Sequence, residues 1–228
     1  MKKTLMLILG MILLIGCTKD DKPEVATIPT ITNGTQFWQN INLNVPTYSD
    51  GTPIPEVTEP TAWENLRTGA WCYYNNDPAN GTIYGKLYNW YAVAGIWNEE
   101  SITDASQRKQ LAPSGYHVPS DAEWTTLITY LGGEAVAGGK MKETGTTHWL
   151  SPNTDATNSS GFKGLPGGYR DYDGTFYTIG SLGNWWGSSA SESITTSAWD
   201  RILFFNYGGA YIFLDDKTLG FSVRCLRD

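Results

Sequence analysis

Histidine and cysteine are scarce, with two and three in 228 residues. A catalytic Ser-His-Asp set therefore has only His117 and His148 to draw on. Neither lies near a nucleophile elbow or a metal-ligand spacing. His117, between Tyr116 and Val118, reads as a structural histidine bonded to backbone in preference to a catalytic base. His148 falls in Thr147-His148-Trp149, a loop or edge position. The chain has no basic run in its main body and a formal net charge of −7. Nucleic acid is disfavoured as a partner, because phosphate contacts need clustered Lys and Arg. No EF-hand loop appears, no fixed-period repeat, and none of the Glu-Pro-Asn or Trp-Asn-Asp motifs of sugar-binding C-type lectins. No metal site and no cofactor are expected.

Long apolar runs are also missing. The longest, Leu5–Ile15 with Gly10 inside it, has eleven residues, against the about 20 a spanning helix needs. Lys2 and Lys3 precede it and Leu14-Ile15-Gly16-Cys17 follows. A charged start, a short apolar core and a small residue at the cut are the parts of a signal peptide. The tetrapeptide resembles the lipobox of bacterial lipoproteins, with Cys17 as the thiol that takes the lipid. Each buried CH₂ of such a lipid contributes about 0.8 kcal/mol, so several chains on one cysteine anchor stably. Thr18-Lys19-Asp20-Asp21 is similar to the surface-export signal of Bacteroidetes lipoproteins, or else is a merely polar tether. The expected division is residues 1–16 as signal peptide, 17–32 as lipidated N-terminus and linker, and 33–228 as one folded domain. The expected location is the outer membrane, facing outward, with that membrane as partner through the lipid.

Loss of residues 1–16 would leave 212, enough for one domain with a real core. Loss of Lys2 and Lys3 takes the net charge from −7 to −9. Glycine (25), tryptophan (10) and tyrosine (13) are abundant, which suits a loop-rich fold of short strands. Cys72 and Cys225 remain after lipidation. In an oxidising compartment a bridge between them is expected. Closing a loop of roughly 150 residues would stabilise the fold by at most about 5 kcal/mol in the chain-entropy picture. The alternative is two buried free thiols.

One helix is plain. Ser120-Asp121-Ala122-Glu123 is a capping box, and Trp124, Leu127, Ile128 and Leu131 form one apolar stripe ending at Gly132-Gly133. A second helix is expected over Ala135–Glu143, weakened by Gly138-Gly139. Leu87–Ala94 suits helix or strand. Tyr169–Tyr177 reads as a hairpin about Asp173-Gly174. Ile202–Asn206 and Ala210–Leu214 flank a second turn, and Phe221–Leu226 alternates as a closing strand. Trp97–Gln110 and Ser151–Ser160 read as loops.

Five segments together resemble the Fibrobacter succinogenes major paralogous domain, over roughly Thr35 to Asp228. They are Tyr84–Val93, Ala112–Trp124, Leu165-Pro166-Gly167-Gly168-Tyr169-Arg170, Trp185-Trp186-Gly187-Ser188-Ser189 and Gly220–Asp228. Before Asn33 no clear counterpart of that family's opening strand is visible. The helix start at Val118–Trp124 and the Gly220-Phe221-Ser222-Val223-Arg224 ending carry a weaker resemblance to the sulfatase-modifying-factor and C-type-lectin-like fold. The two resemblances imply an α+β fold, C-type-lectin-like or formylglycine-generating-enzyme-like. Short antiparallel strands would then surround one or two packed helices, with long loops. Formylglycine-generating enzymes use a cysteine pair within their C-terminal region, and here only Cys225 lies there, so no activity is carried over. Fold does not fix function.

Aromatics and acids are the remaining candidates. Trp185, Trp186, Tyr169 and Tyr172 present flat faces of the sort that stack on sugar rings. Adjacent Trp185 and Trp186 on a strand point to opposite sides, so one is expected in the core and the other in the open. Tyr207 and Tyr211 lie in the same half. Asp171 and Asp173 flank the hairpin tip, where Asp173-Gly174 reads as the turn itself. Asp215 and Asp216 are the other acids that a carboxylate-pair hydrolase would need. The function expected is a non-catalytic surface module for a glycan or protein ligand. A structural or accessory subunit of an envelope or pilus assembly is the alternative, with a cryptic hydrolase behind it.

Overall fold

A computed structural model describes residues 29–228; the expected signal peptide, Cys17 and most of the linker lie outside the described residues. The first strand, β1 (Thr30–Asn33), pairs antiparallel with β2 (Gln36–Gln39) across a turn where Gly34 takes a φ of +62°. The opening strand thus exists, and its residues 30–32 fall inside the stretch read as linker. Thr30, Ile31 and Thr32 include the β-branched residues that suit an edge strand. The linker expectation rests on the Pro, Thr and charge that precede them, a composition that does not register a short, mostly exposed edge strand.

The chain then forms α1 (Pro60–Glu64), β3 (Trp71–Cys72), α2 (Pro78–Tyr84), β4 (Leu87–Tyr88), α3 (Trp90–Val93) and α4 (Glu100–Thr103). The ambiguous run Leu87–Ala94 is strand and then helix, divided by buried Asn89. The Asn89 Oδ1 accepts from Ala92 N and from Ala70 N, each at 3.0 Å, so one side chain caps α3 and ties β4 to its neighbour. The stretch read as a loop from Trp97 contains α4, because Asn98 Oδ1 accepts from Ser101 N at 3.0 Å and nucleates a turn.

After β5 (Tyr116–His117) comes α5 (Asp121–Tyr130), with both arms of the expected capping box in place. Trp124, Leu127, Ile128 and Leu131 are buried. The next helix, α6 (Glu134–Met141), keeps its two glycines for a packing reason. A Cβ on Gly138 would collide with the Gly209 carbonyl oxygen, and Gly139 N donates to Gly208 O at 2.7 Å. Close approach here outweighs poor helix propensity.

The hairpin of β6 (Tyr169–Arg170) and β7 (Phe176–Tyr177) precedes three longer strands, β8 (Leu182–Ala190), β9 (Ser197–Phe204) and β10 (Ala210–Asp216). These make an antiparallel sheet in the order β10-β9-β8. The last strand, β11 (Leu226–Arg227), closes a second sheet in the order β1-β2-β11-β5, joining both ends of the domain. The closing strand is therefore shorter than its alternation implied. Phe221 and Ser222 make only single bridges, to Tyr88 and Trp185. The architecture is α+β, with small antiparallel sheets, few helices and long loops.

The sheet of β8 is covered on both sides. Trp185 lies 5.6 Å from Phe162, in a cluster with Trp38, Trp124 and Met141 beneath the two long helices. Trp186 lies 4.3 Å from Phe221, in a cluster with Tyr88 and Trp90. Both tryptophans are 0% exposed, which corrects the expectation of one open ring. Opposite faces did follow from the strand, but each face has its own core.

Cys72 and Cys225 are not bridged. They are buried free thiols in different apolar clusters, Cys72 with Trp63, Tyr74 and Leu87, and Cys225 with Tyr88, Trp186 and Val223. Burial pushes each thiol up to about 12. Such cysteines act as small hydrophobes.

Three buried cations fasten the loops through backbone carbonyls. Arg170 donates to Val57 O, Thr58 O and Gly174 O at 2.5, 2.7 and 3.0 Å. Arg224 donates to Gln39 O and Phe162 O at 3.0 and 2.6 Å. Lys142 Nζ donates to the carbonyls of Thr154, Phe204 and Tyr207 at 2.7 to 2.9 Å. Carbonyls in coil and at strand ends lack a ladder partner, so a fully buried cation satisfies several at once.

Candidate binding cleft

Strand alternation decides which side chains of the three-stranded sheet share a face. Register pairs Leu182 with Phe204, Asn184 with Ile202, and Trp186 with Asp200. It also pairs Tyr211 with Ile202, Phe213 with Asp200, and Asp215 with Ala198. All of these lie on the face that carries Trp186. Phe221 covers the Trp186 end, and the remainder opens into a cleft of ≈ 440 Å³. The sheet supplies Asn184, Ile202, Phe213 and Asp215 to its lining, and the hairpin supplies Tyr169, Asp171 and Tyr172.

The hairpin is held over the sheet by backbone. Arg170 N donates to Gly220 O at 3.0 Å, and Gly220 N donates to Arg170 O at 2.8 Å. At the tip Asp173 Oδ1 accepts from Thr175 N at 2.8 Å, and Gly174 has a φ of +83°. Asp173 is thus the turn-former and lies outside the cleft lining, whereas Asp171, Tyr169 and Tyr172 belong to it. Asp216 also reaches the rim, but its Oδ1 is committed to Thr218 N and Oγ at 2.9 and 2.8 Å.

A second depression of ≈ 240 Å³ shares Phe204 and Phe213 with the cleft and adds Tyr207 and Tyr211. Tyr207, Tyr211 and Phe213 are 43%, 38% and 42% exposed. Tyr207 and Tyr211 have ring centroids 5.2 Å apart at 30°, and Tyr211 and Phe213 lie 6.2 Å apart. The rings form a continuous apolar shelf leading from the cleft.

The floor is acidic. Asp200 is fully buried, and neither carboxylate oxygen has a hydrogen-bond partner among the described residues. Burial, then the nearby Asp215 carboxylate, pushes Asp200 well above the usual range; Arg201 and the adjacent Asn184 side chain, which is close but forms no well-aligned hydrogen bond, offset only part of this. Burial, then Asp171 and Asp216, also raises Asp215. Tyr169 is raised by burial, then by Asp171, Tyr177, Asp215 and Asp173. No Lys, Arg or His is among the lining residues described. Arg201 points to the other side of the sheet, where Nη2 meets Asp121 Oδ1 at 2.7 Å. Lys217 is turned away, over the Trp90 ring and onto Thr195 O at 2.6 Å.

Sequence reasoning missed Asp200 and Phe213. The signal was present in Trp199-Asp200-Arg201-Ile202-Leu203, an acid in an apolar strand two residues from Ile202 and so on its face. Elsewhere, His117 bridges Glu123 Oε1 and Asp228 Oδ1 at 2.9 and 2.7 Å. His148 pairs with Glu143 Oε2 at 2.6 Å. Among the described residues neither ring is bonded to a hydroxyl or thiol, and no group of three His, Cys, Asp or Glu is placed to hold a metal ion. No described helix is long and apolar enough to cross a membrane.

The described residues build an α+β domain of small antiparallel sheets with one open, acidic, aromatic-rimmed cleft. Residues 31–227 match the Fibrobacter succinogenes major domain, and the chain belongs to that family. No curated protein matches it, and no solved structure does.

Proposed function

We propose that this protein is a lipid-anchored, non-catalytic binding module of the outer-membrane surface whose cleft takes a glycan. The observation that carries the glycan reading is the shelf of Tyr207, Tyr211 and Phe213 leading into a cleft edged by Asp171 and Asp215. Flat rings stack on the apolar faces of sugars, and carboxylates accept from sugar hydroxyls. Exposed rings held on a rigid sheet lose little entropy on binding. The anchor reading rests on Leu14-Ile15-Gly16-Cys17. The weaker likeness to the C-type-lectin-like and formylglycine-generating-enzyme-like fold supports a ligand-presenting sheet. Two cysteines buried in separate clusters supply no reactive pair for the latter's chemistry.

The test is a broad glycan array probed with full-length protein in detergent, with Tyr211→Ala and Phe213→Ala alongside. Binding by the wild type and its loss in the two variants is the expected result. A folded wild type that binds no glycan would overturn the reading. Lipid incorporation that persists in Cys17→Ser, or protection of the domain from protease on intact cells, would overturn the anchor or the outward orientation.

One observation favours a second reading. A buried acid raised above the usual carboxylate range beside ionisable neighbours is the pattern of a general acid and its partner carboxylate. Hydrolysis of a bound oligosaccharide by the wild type and not by Asp200→Asn would establish it. The binding reading is preferred because Asp200 is fully buried below the cleft lining.

A further inference from the structure

The cleft is one-sided in charge. Asp171 and Asp215 line it, Asp200 lies beneath on the same sheet face, and the lining described has no cation. The aromatic residues of the rim add the negative faces of their rings, with Tyr172 56% exposed and Phe213 opposite Asp200 in register. A neutral sugar would leave Asp200 as it stands, fully buried with two unpartnered oxygens. Resting on the glycan reading above, we propose that the cleft selects glycans bearing a protonated amino group. Asp171 and Asp215 receive the ammonium and Tyr172 and Phe213 flank it, above the buried Asp200 on the same sheet face.

The chemistry balances without a further reactant. Burial and Asp215 raise Asp200, and a cation held at Asp215 opposes that rise; the proton Asp200 then loses leaves to bulk water, and no covalent bond in the ligand changes. The driving force is the ligand charge entering a region of low dielectric close to acids, where opposite charges interact far more strongly than in water. Rings facing a cation contribute in the same direction. The groups facing Asp200 are Asp215 on β10 and the Asn184 side chain on β8, and Asp171 on the hairpin acts on Asp215; Arg201 is on the far side of β9 and already paired with Asp121. Continuity with the aromatic shelf favours a sugar ring over a peptide side chain as bearer of the charge.

The experiment is calorimetric titration of full-length protein in detergent with glucosamine oligomers and their N-acetylated counterparts. It is repeated in two buffers of different ionisation heat. The free amine is expected to bind at least about ten-fold more tightly, as an acidic, partly desolvated site requires, with protons released on binding. Asp215→Asn and Asp171→Asn should each reduce the preference. Asp200→Asn, which is nearly isosteric with a neutral acid, should fold and bind with less proton release. Equal affinity for the two oligomers would overturn the ammonium inference and leave the glycan reading intact. Binding of neither would remove both. Unchanged proton release in Asp200→Asn would overturn the part assigned to that residue, and tighter binding of a lysine tripeptide would overturn the amino-sugar.

Discussion

Asp200 and Phe213 stand directly opposite one another on neighbouring strands, the acid fully buried and the ring 42% exposed. A polar group with no partner thus lies beneath an apolar group in the open, the reverse of what each would adopt for stability alone. Burying a polar group without hydrogen bonds costs roughly 1–3 kcal/mol by mutational measures. Strain of this sort is commonly retained where a ligand is bound.

The first expected outcome concerns pH. Burial raises Asp200 above the unfolded carboxylate value of about 3.9. Between those two values the folded state holds a proton that the unfolded state has lost, so stability falls as pH rises. The contribution is complete below the unfolded value and is lost as pH climbs to the folded one. Asp200→Asn removes this slope. It should raise stability at pH 7 by about 1–3 kcal/mol, with the gain shrinking toward pH 4. Urea melts across pH 4 to 8 check it, and a gain that does not vary with pH would contradict the assignment.

The two kinds of aromatic should separate cleanly. Trp185→Ala or Trp186→Ala removes a fully buried ring and should cost about 3–5 kcal/mol. Tyr211→Ala and Phe213→Ala remove half-open rings and should shift stability by less than about 1 kcal/mol. Thermal melts of the four variants decide it, and a marginal effect from either tryptophan would mean the two cores are misassigned.

Much of this was legible in the sequence, and the misses have physical causes. The capping box at Ser120 and the turn at Asp173-Gly174 follow from local chemistry and hold. Asp171, Tyr169 and Tyr172 of the hairpin line the cleft, as a turn that fixes their backbone allows. Trp185 and Trp186 failed as binding candidates because burial depends on what covers each face, here Phe162 on one side and Phe221 on the other, both distant in sequence. Asp200 was missed because its meaning lies in register with Phe213 and Trp186, which no single segment encodes. Pairing Cys72 with Cys225 came from counting and compartment, and counting cannot say that two thiols sit in different clusters.

The thiols give a direct readout. In a Cys17→Ser variant, native protein should resist alkylation, since burial raises Cys72 and Cys225 to about 12. In denaturant, without reductant, both should label. Mass measurement of the alkylated chain checks this, and labelling that requires reductant would restore the bridge.

The last expectation turns on Gly138. In an exposed helix, Gly→Ala stabilises by about 1 kcal/mol, because alanine loses less backbone freedom on folding. Gly138 sits in α6 with a helical φ, so propensity alone would make Gly138→Ala favourable. The opposing term is steric. The new Cβ would run into the Gly209 carbonyl oxygen, which is backbone and has no rotamer to retreat to. Separating the helix from that turn would also stretch the bond from Gly139 N to Gly208 O, now 2.7 Å. It would likewise disturb the Lys142 ammonium, whose partners include Phe204 O and Tyr207 O. Overpacking costs about 1–3 kcal/mol, and the lost hydrogen bonding adds to it, so the sum is destabilising by about 2 kcal/mol or more. Because Phe204 and Tyr207 also form the aromatic shelf, the same substitution should weaken ligand binding, although Gly138 lines neither depression. A denaturant melt gives the sign: a more stable Gly138→Ala protein would show that the turn yields, and that propensity alone governs this helix.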